Sequence, residues 1–276
     1  MYGIVGDPVE HSLSPVMQNS AFEKLGMDCV YIPFRVASSV LGVAVKGLRS
    51  QGVLGFNVTV PHKTKIIQYL DKLESHARNV GAVNTVKTVE NKLVGYNTDS
   101  IGVVEALKTN GILPSDNTFT ILGAGGAAKA ITHALIESAP RISVLNRTLE
   151  RAHGLRRDIR RRSGREIKIG SLTRRNLERE LHTTDVLINA TSVGMKGNPG
   201  NIPIEGDLPQ DLVVFDIVYD RCDTELVKQA KRSGCRIIRG TEMLLYQAAA
   251  AFTLWTGTKA PVDTMRHSLA TFGFNR

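Results

Sequence analysis

Cysteine is scarce in this chain of 276 residues: Cys29, Cys222 and Cys235 are odd in number and far apart. They supply no disulfide framework and no Cys-x-x-Cys metal knuckle, which points to a reducing compartment. Long apolar runs are lacking too, so no segment reaches the length of a membrane span. The opening Met1-Tyr2-Gly3-Ile4-Val5-Gly6 shows no basic stretch followed by an apolar one. No export signal is expected from it, and a cytoplasmic location is. There is no internal repeat, low-complexity tract or long linker. What remains is a chain with 42% hydrophobic and 22% charged residues, long enough for two domains with packed cores.

Acidic residues run short in one place. Residues 147–179 hold twelve Lys/Arg against four Asp/Glu, a local +8 within a total of +9. A basic run of this kind suggests a nucleic-acid surface, yet the segment has no aromatic residue on which a base could stack. A solvated helix face is expected instead, its potential steering an anionic cofactor and an acidic substrate.

Glycine is concentrated where it carries meaning. Gly123-Ala124-Gly125-Gly126-Ala127-Ala128-Lys129 follows the apolar run Phe119-Thr120-Ile121-Leu122 and opens an alanine-rich stretch ending at Leu135. This Gly-x-Gly-x-x-Ala spacing between strand and helix lays a dinucleotide pyrophosphate on a helix N-terminus. Small Ala128 lets that helix pack closely on the strand. A second strand, Ile142-Ser143-Val144-Leu145, ends in Asn146-Arg147-Thr148, with Arg151 one turn on. An NAD enzyme usually carries a carboxylate at this tip for the ribose hydroxyls. Its absence removes a repulsion for a 2′-phosphate, and the two guanidinium groups offer donor forks for one. The expected cofactor is NADP.

Elsewhere β-rich runs at 3–6, 29–34 and 54–60 alternate with helical periodicity at 15–25, 39–49 and 61–70. Residues 83–88 and 92–96 around Glu90-Asn91 read as a hairpin. A helix at 99–108, strands at 186–190, 213–218 and 236–238, and closing helices at 243–256 and 262–271 complete the pattern. Such alternation predicts an α/β protein with parallel sheets.

Three clusters carry candidate chemistry. In Ser12-Leu13-Ser14-Pro15, Pro15 suits the first helical position and Ser14 the N-cap. Capping does not explain Ser12, and two hydroxyls beside a helix N-terminus suit a carboxylate. In Asn57-Val58-Thr59-Val60-Pro61-His62-Lys63, Pro61 again marks a helix start. That puts Lys63 in a first turn, where the dipole disfavours a cation, so a proton-exchange task competes with a plain surface lysine. His62 reads as carrying no chemistry of its own. In Gly95-Tyr96-Asn97-Thr98-Asp99, Asp99 serves either as the N-cap of the next helix or as the partner of Lys63.

Taken with Gly81-Ala82-Val83-Asn84-Thr85, Asn189-Ala190-Thr191-Ser192-Val193-Gly194-Met195 and Gly240-Thr241-Glu242-Met243-Leu244, these clusters resemble the shikimate dehydrogenase family nearly end to end and in the family's order. The resemblance implies NADPH-dependent, reversible reduction of 3-dehydroshikimate to shikimate in aromatic amino-acid (chorismate) biosynthesis. It implies an N-terminal α/β substrate domain (1–100 plus 241–276) and a Rossmann-type NADP domain (101–240), with a cleft between them. Lys63 would be the general acid/base with Asp99 its partner. Ser12 and Ser14 would bind the substrate carboxylate, and Thr59, Asn84, Tyr219 and Gln247 the ring hydroxyls. Gly123, Ala124, Gly125, Gly126, Ala127, Asn146, Arg147, Thr148 and Arg151 would hold NADP, with Ile217 and Gly240 near the nicotinamide.

Partners implied are a small-molecule substrate, no nucleic acid and no membrane, with a homodimer left open. No metal is implied, and the chain shows no His/Cys ligand set. Two departures stand out: Arg221 where the family often has proline, and Ser75 where an acidic residue sometimes lies at the cofactor cleft. Two rivals remain open, a quinate/shikimate dehydrogenase preferring NAD and a catalytically idle NADP-binding regulator. The first would carry an acidic residue near Arg147, and the second would lack Lys63 or Asp99.

Overall fold

A computed structural model describes residues 1–195, 200, 202–219 and 222–271. The chain divides into two compact units, Met1–Gly102 with Leu244–Arg276, and Val103–Met243. No helix among the described residues is long and apolar enough to cross a membrane.

The first unit is built on a six-stranded sheet: β1 (Tyr2–Gly6), β2 (Tyr31–Arg35), β3 (Gly55–Val58), β4 (Lys72–Leu73), β5 (Thr85–Val89) and β6 (Lys92–Tyr96), in the order β2-β1-β3-β5-β6-β4. The parallel pairing and the hairpin expected from the sequence are both present, so the sheet is mixed. β1 runs parallel to β2 and β3, but β5 is antiparallel to β3 and β6. The hairpin at Glu90-Asn91, whose residues take φ of 48° and 60°, turns β6 antiparallel to β5 and so parallel again to β1 and β3. Left-handed conformation at both positions gives the tight turn whose twist matches two paired strands.

Side chains alternate across β1. Tyr2 and Ile4 face a core with Met17, Phe22, Phe252 and Met265, whereas Val5 faces one with Leu41, Val45, Ile66 and Val86. The first core is roofed by α1 (Ser14–Lys24) and by the helices α9 (Gly240–Thr256) and α10 (Val262–Thr271). The second lies under α2 (Leu41–Ser50). α3 (Ser75–Val80) is capped by Glu74, which accepts from the backbone of His76 and Ala77. Trp255 Nε1 donates to the Val86 carbonyl at 2.9 Å, fastening α9 to the sheet.

The second unit holds a fully parallel sheet of β7 (Phe119–Leu122), β8 (Ile142–Asn146), β9 (Lys168–Ser171), β10 (Val186–Asn189), β11 (Val213–Asp216) and β12 (Arg236–Arg239). Its order is β12-β11-β10-β7-β8-β9, the doubly wound arrangement of dinucleotide-binding folds. β7, β8 and β10 are buried along almost their whole length, as strands covered on both faces must be. The helices of this unit include α5 (Gly126–Leu135), α6 (Leu149–Ser163), α7 (Arg174–Leu181) and α8 (Glu225–Arg232). The chain passes between the units inside α4 (Asp99–Thr109) and inside α9.

Candidate active site

Strand direction collects the candidate residues of the first unit at one sheet edge. Parallel β1 and β3 both end there, followed by Ser12 and Ser14 after β1 and by Thr59 and Lys63 after β3. Antiparallel β5 starts at the same edge just after Asn84, and β6 ends there just before Asp99. The carboxyl ends of parallel strands are where open α/β sheets bind ligands.

Lys63 and Asp99 meet at this edge. Lys63 Nζ lies 2.6 Å from Asp99 Oδ2, with the lysine side chain 19% exposed and the aspartate 5%. Asn84 Nδ2 donates to Asp99 Oδ1 at 2.8 Å and to Gln247 Oε1 at 3.2 Å. Gln247 arrives from α9 and is held by its own bond from Nε2 to the Leu244 carbonyl at 3.0 Å. Asp99 is the first residue of α4, and its carboxylate is committed to Lys63 and Asn84. Thr59 is half-buried against Gly6, and its backbone N–H donates to the Val5 carbonyl at 2.9 Å.

Two expectations are corrected. Residues 61–70 form no α-helix: the chain turns at Val60 to Thr64, and a short 3₁₀ helix covers Lys65–Tyr69. The Lys63 carbonyl accepts the Val83 N–H at 2.8 Å, which ties this turn to the start of β5. Lys63 therefore faces no helix dipole, and its position comes from that tertiary bond. The second correction concerns Ser14, which is the first residue of α1, behind Leu13 at the cap position with no side-chain cap. Ser12 Oγ accepts the Ser14 N–H at 3.3 Å, so the capping hydroxyl belongs to Ser12. His62 is a fully buried core side chain, its Nε2 2.6 Å from the Val36 carbonyl oxygen.

Sequence reasoning passed over the groups that hold the pair. Asn57, Thr85 and Thr98 are buried and hydrogen-bonded to Asn84 or to one another. The available signal was a polar residue inside an apolar strand, as with Asn57 between Phe56 and Val58.

In the second unit, Gly123 takes φ +105°, and a Cβ there would stand 2.9 Å from the Ala190 carbonyl oxygen. Only glycine fits that turn. α5 follows with Gly125 at its cap, no side-chain cap and no acidic residue in its first turn. Its first N–H groups are thus left to an anion, and a dinucleotide pyrophosphate fits this loop. Arg147 and Thr148 are exposed just beyond β8, Asn146 Nδ2 closes the bend on the Thr148 carbonyl at 2.7 Å, and Arg151 is exposed in the first turn of α6. These donors fit an NADP 2′-phosphate. A Cβ on Gly240 would lie 2.4 Å from the Ile217 carbonyl oxygen, so these two segments touch. Tyr219 is exposed after β11, and Arg221 lies outside the described residues. The exposed face of α6 carries Arg156, Arg157, Arg160 and Arg161.

Comparison with known proteins gives a consistent result. Residues 4–86 match the shikimate dehydrogenase substrate binding domain, residues 106–196 the shikimate/quinate 5-dehydrogenase family, and residues 240–270 the shikimate 5′-dehydrogenase C-terminal domain. The chain is 41% identical over 271 residues to the NADP(+) shikimate dehydrogenase of Methanopyrus kandleri, covering 97% of this chain and 93% of that protein. A shikimate dehydrogenase solved with NADP+ superposes with a TM-score of 0.89 at 38% identity, covering 100% of this chain and 96% of that one. The shikimate 5-dehydrogenase of Thermus thermophilus, solved with NADP(H) and shikimate, gives 0.87 at 34% identity, covering 98% of each.

Proposed function

The chain belongs to the shikimate dehydrogenase family, and we propose that it catalyses the reversible, NADP-linked interconversion of 3-dehydroshikimate and shikimate. The observation that carries this reading is the Lys63–Asp99 pair, 2.6 Å apart at the ligand-binding edge of the first sheet. NADPH, when bound, supplies a hydride to the C3 carbonyl carbon. Lys63 donates from Nζ the proton that the developing alkoxide needs, and its ammonium charge stabilises that oxygen as charge builds. Asp99 holds Nζ in place and balances its charge. In the oxidising direction the Lys63–Asp99 pair takes up the proton of the shikimate C3 hydroxyl.

Ser12 and Ser14 are assigned to the substrate carboxylate, and Thr59, Asn84, Tyr219 and Gln247 to the ring hydroxyls. Residues 123–127 are assigned to the pyrophosphate, Asn146, Arg147, Thr148 and Arg151 to the adenosine 2′-phosphate, and Ile217 and Gly240 to the nicotinamide end. A cytoplasmic location is part of the same proposal, supported by three cysteines that are all free thiols. The test is a rate matrix of NADP or NAD with shikimate or quinate. NADP with shikimate should give the highest kcat/KM by at least tenfold. A higher value for NAD with quinate would overturn the assignment.

A further inference from the structure

Behind Lys63 and Asp99 runs a line of buried polar groups of which the roles above give a task only to Asn84. Tyr31 Oη donates to Asn57 Oδ1 at 2.7 Å. Asn57 Nδ2 donates to the Asn84 carbonyl and to Thr85 Oγ1, each at 3.0 Å. Thr85 Oγ1 in turn donates to Asn84 Oδ1 at 3.0 Å and lies 3.1 Å from Thr98 Oγ1. Tyr31, Asn57, Thr85 and Asn84 come from β2, β3, the start of β5 and the residue before it, and all are buried.

Two backbone groups fix how the Asn57 and Asn84 amides are turned, while the Thr85–Thr98 hydroxyl contact can run either way. The Asn84 carbonyl only accepts, so the Asn57 amide must present its NH₂ there and turn its oxygen to Tyr31. The Thr98 N–H only donates, and it lies 2.7 Å from Asn84 Oδ1. The Asn84 NH₂ must then point the other way, toward Asp99 Oδ1 and Gln247 Oε1. Between them the Thr85 hydroxyl takes the Asn57 NH₂ on a lone pair, which leaves its proton for Asn84 Oδ1 or Thr98 Oγ1. Burying this many polar groups is costly unless each is satisfied, and apolar side chains would fill the same space more cheaply. What the line provides is a fixed amide at Asn84.

We propose that Asn57 and Thr85 are positioning residues for proton transfer: through Asn84 they hold the Asp99 carboxylate so that its second oxygen meets Lys63. The inference rests on the reading of Lys63 and Asp99 as the proton-handling pair. The partner groups around a reacting side chain are commonly what keeps it within a few tenths of an ångström of working geometry.

The test uses shikimate oxidation by the full chain. Thr85→Val keeps the shape and removes the hydroxyl. It should lower kcat about 5- to 10-fold, leave KM for NADP unchanged, and leave the melting temperature close to that of the parent. Thr85→Ser, which restores the hydroxyl, should recover most of kcat. A folded Thr85→Val with the parent's kcat overturns the proposal, as does a loss that Thr85→Ser fails to recover. Tyr31→Phe asks the same question from the far end with the ring retained. A fall in kcat of about threefold supports the proposal, and an unchanged kcat overturns it. Lys63→Ala separates the two levels: full turnover there would break the assignment of the pair itself, whereas an inactive Lys63→Ala beside an unaffected Thr85→Val would break only this inference.

Discussion

Ser12 and Ser14 stand two residues apart, yet only one hydroxyl is already employed. Ser12 Oγ accepts the Ser14 N–H, while the Ser14 hydroxyl makes no hydrogen bond among the described residues. Mutation should separate them. Ser12→Ala removes a helix-start acceptor and should cost about 0.5–1 kcal/mol of stability, measurable by urea unfolding. Ser14→Ala should leave stability within error and raise KM for shikimate about tenfold. The reverse pattern would return the cap to Ser14. At this scale the sequence brought Lys63 and Asp99 together but gave the wrong local setting for Lys63. Lys63 and Asp99 were legible as a pair, but the helix dipole offered for Lys63 does not exist, because the Val83 N–H takes the Lys63 carbonyl and holds the chain in a turn. Asn57 and Thr85 went unread because their partners lie across neighbouring strands, and no local pattern reports a cross-strand hydrogen bond.

Element ends carry the residues proposed to select the cofactor. The tip of β8 presents Arg147, and the first turn of α6 presents Arg151. Arg147→Ala should raise KM for NADP roughly 10- to 150-fold, the loss of one charge-assisted contact of about 1.5–3 kcal/mol. The weak NAD activity should stay nearly constant, and equal losses with both cofactors would assign Arg147 to the fold instead. At the end of β11, Asp216 is fully buried and accepts from Asn189 Nδ2 at 2.9 Å, the Val218 N–H at 3.1 Å and Thr224 Oγ1 at 2.5 Å. Burial pushes its carboxyl above the usual range, and these three donors offset that only in part. A carboxyl raised above its unfolded value of about 4 contributes stability that is complete below that value and lost as pH rises through the folded one. Asp216→Asn removes this titration. Between about pH 4 and pH 8 its unfolding free energy should therefore decline less than the parent's in urea titrations. Parallel curves would clear Asp216 of the role. Elements with a clear apolar run or turn signal were legible, including β7 and the hairpin. The two-residue β4, the six-residue α3 and the polar, eight-residue α7 were not, since their order comes from neighbours rather than from their own pattern.

The whole molecule distributes the work over two units. The first carries the pair proposed to move the proton and, apart from Tyr219, the groups proposed to bind substrate; the second carries Tyr219, the glycine loop and the arginines proposed to bind NADP. The parallel second sheet agrees with the strand–helix alternation, whereas in the first sheet β5 alone runs against its neighbours and the turn at Glu90-Asn91 brings β6 back. Catalysis and cofactor binding should accordingly separate on mutation of one side chain. The direct measurement is kcat for shikimate oxidation by Lys63→Ala, alongside its NADPH affinity by fluorescence titration. Losing a positioned acid/base should lower kcat about 10²- to 10⁴-fold, with NADPH bound as tightly as by the parent. A variant that keeps most of its kcat, or one that loses NADPH binding in proportion to turnover, would contradict the account.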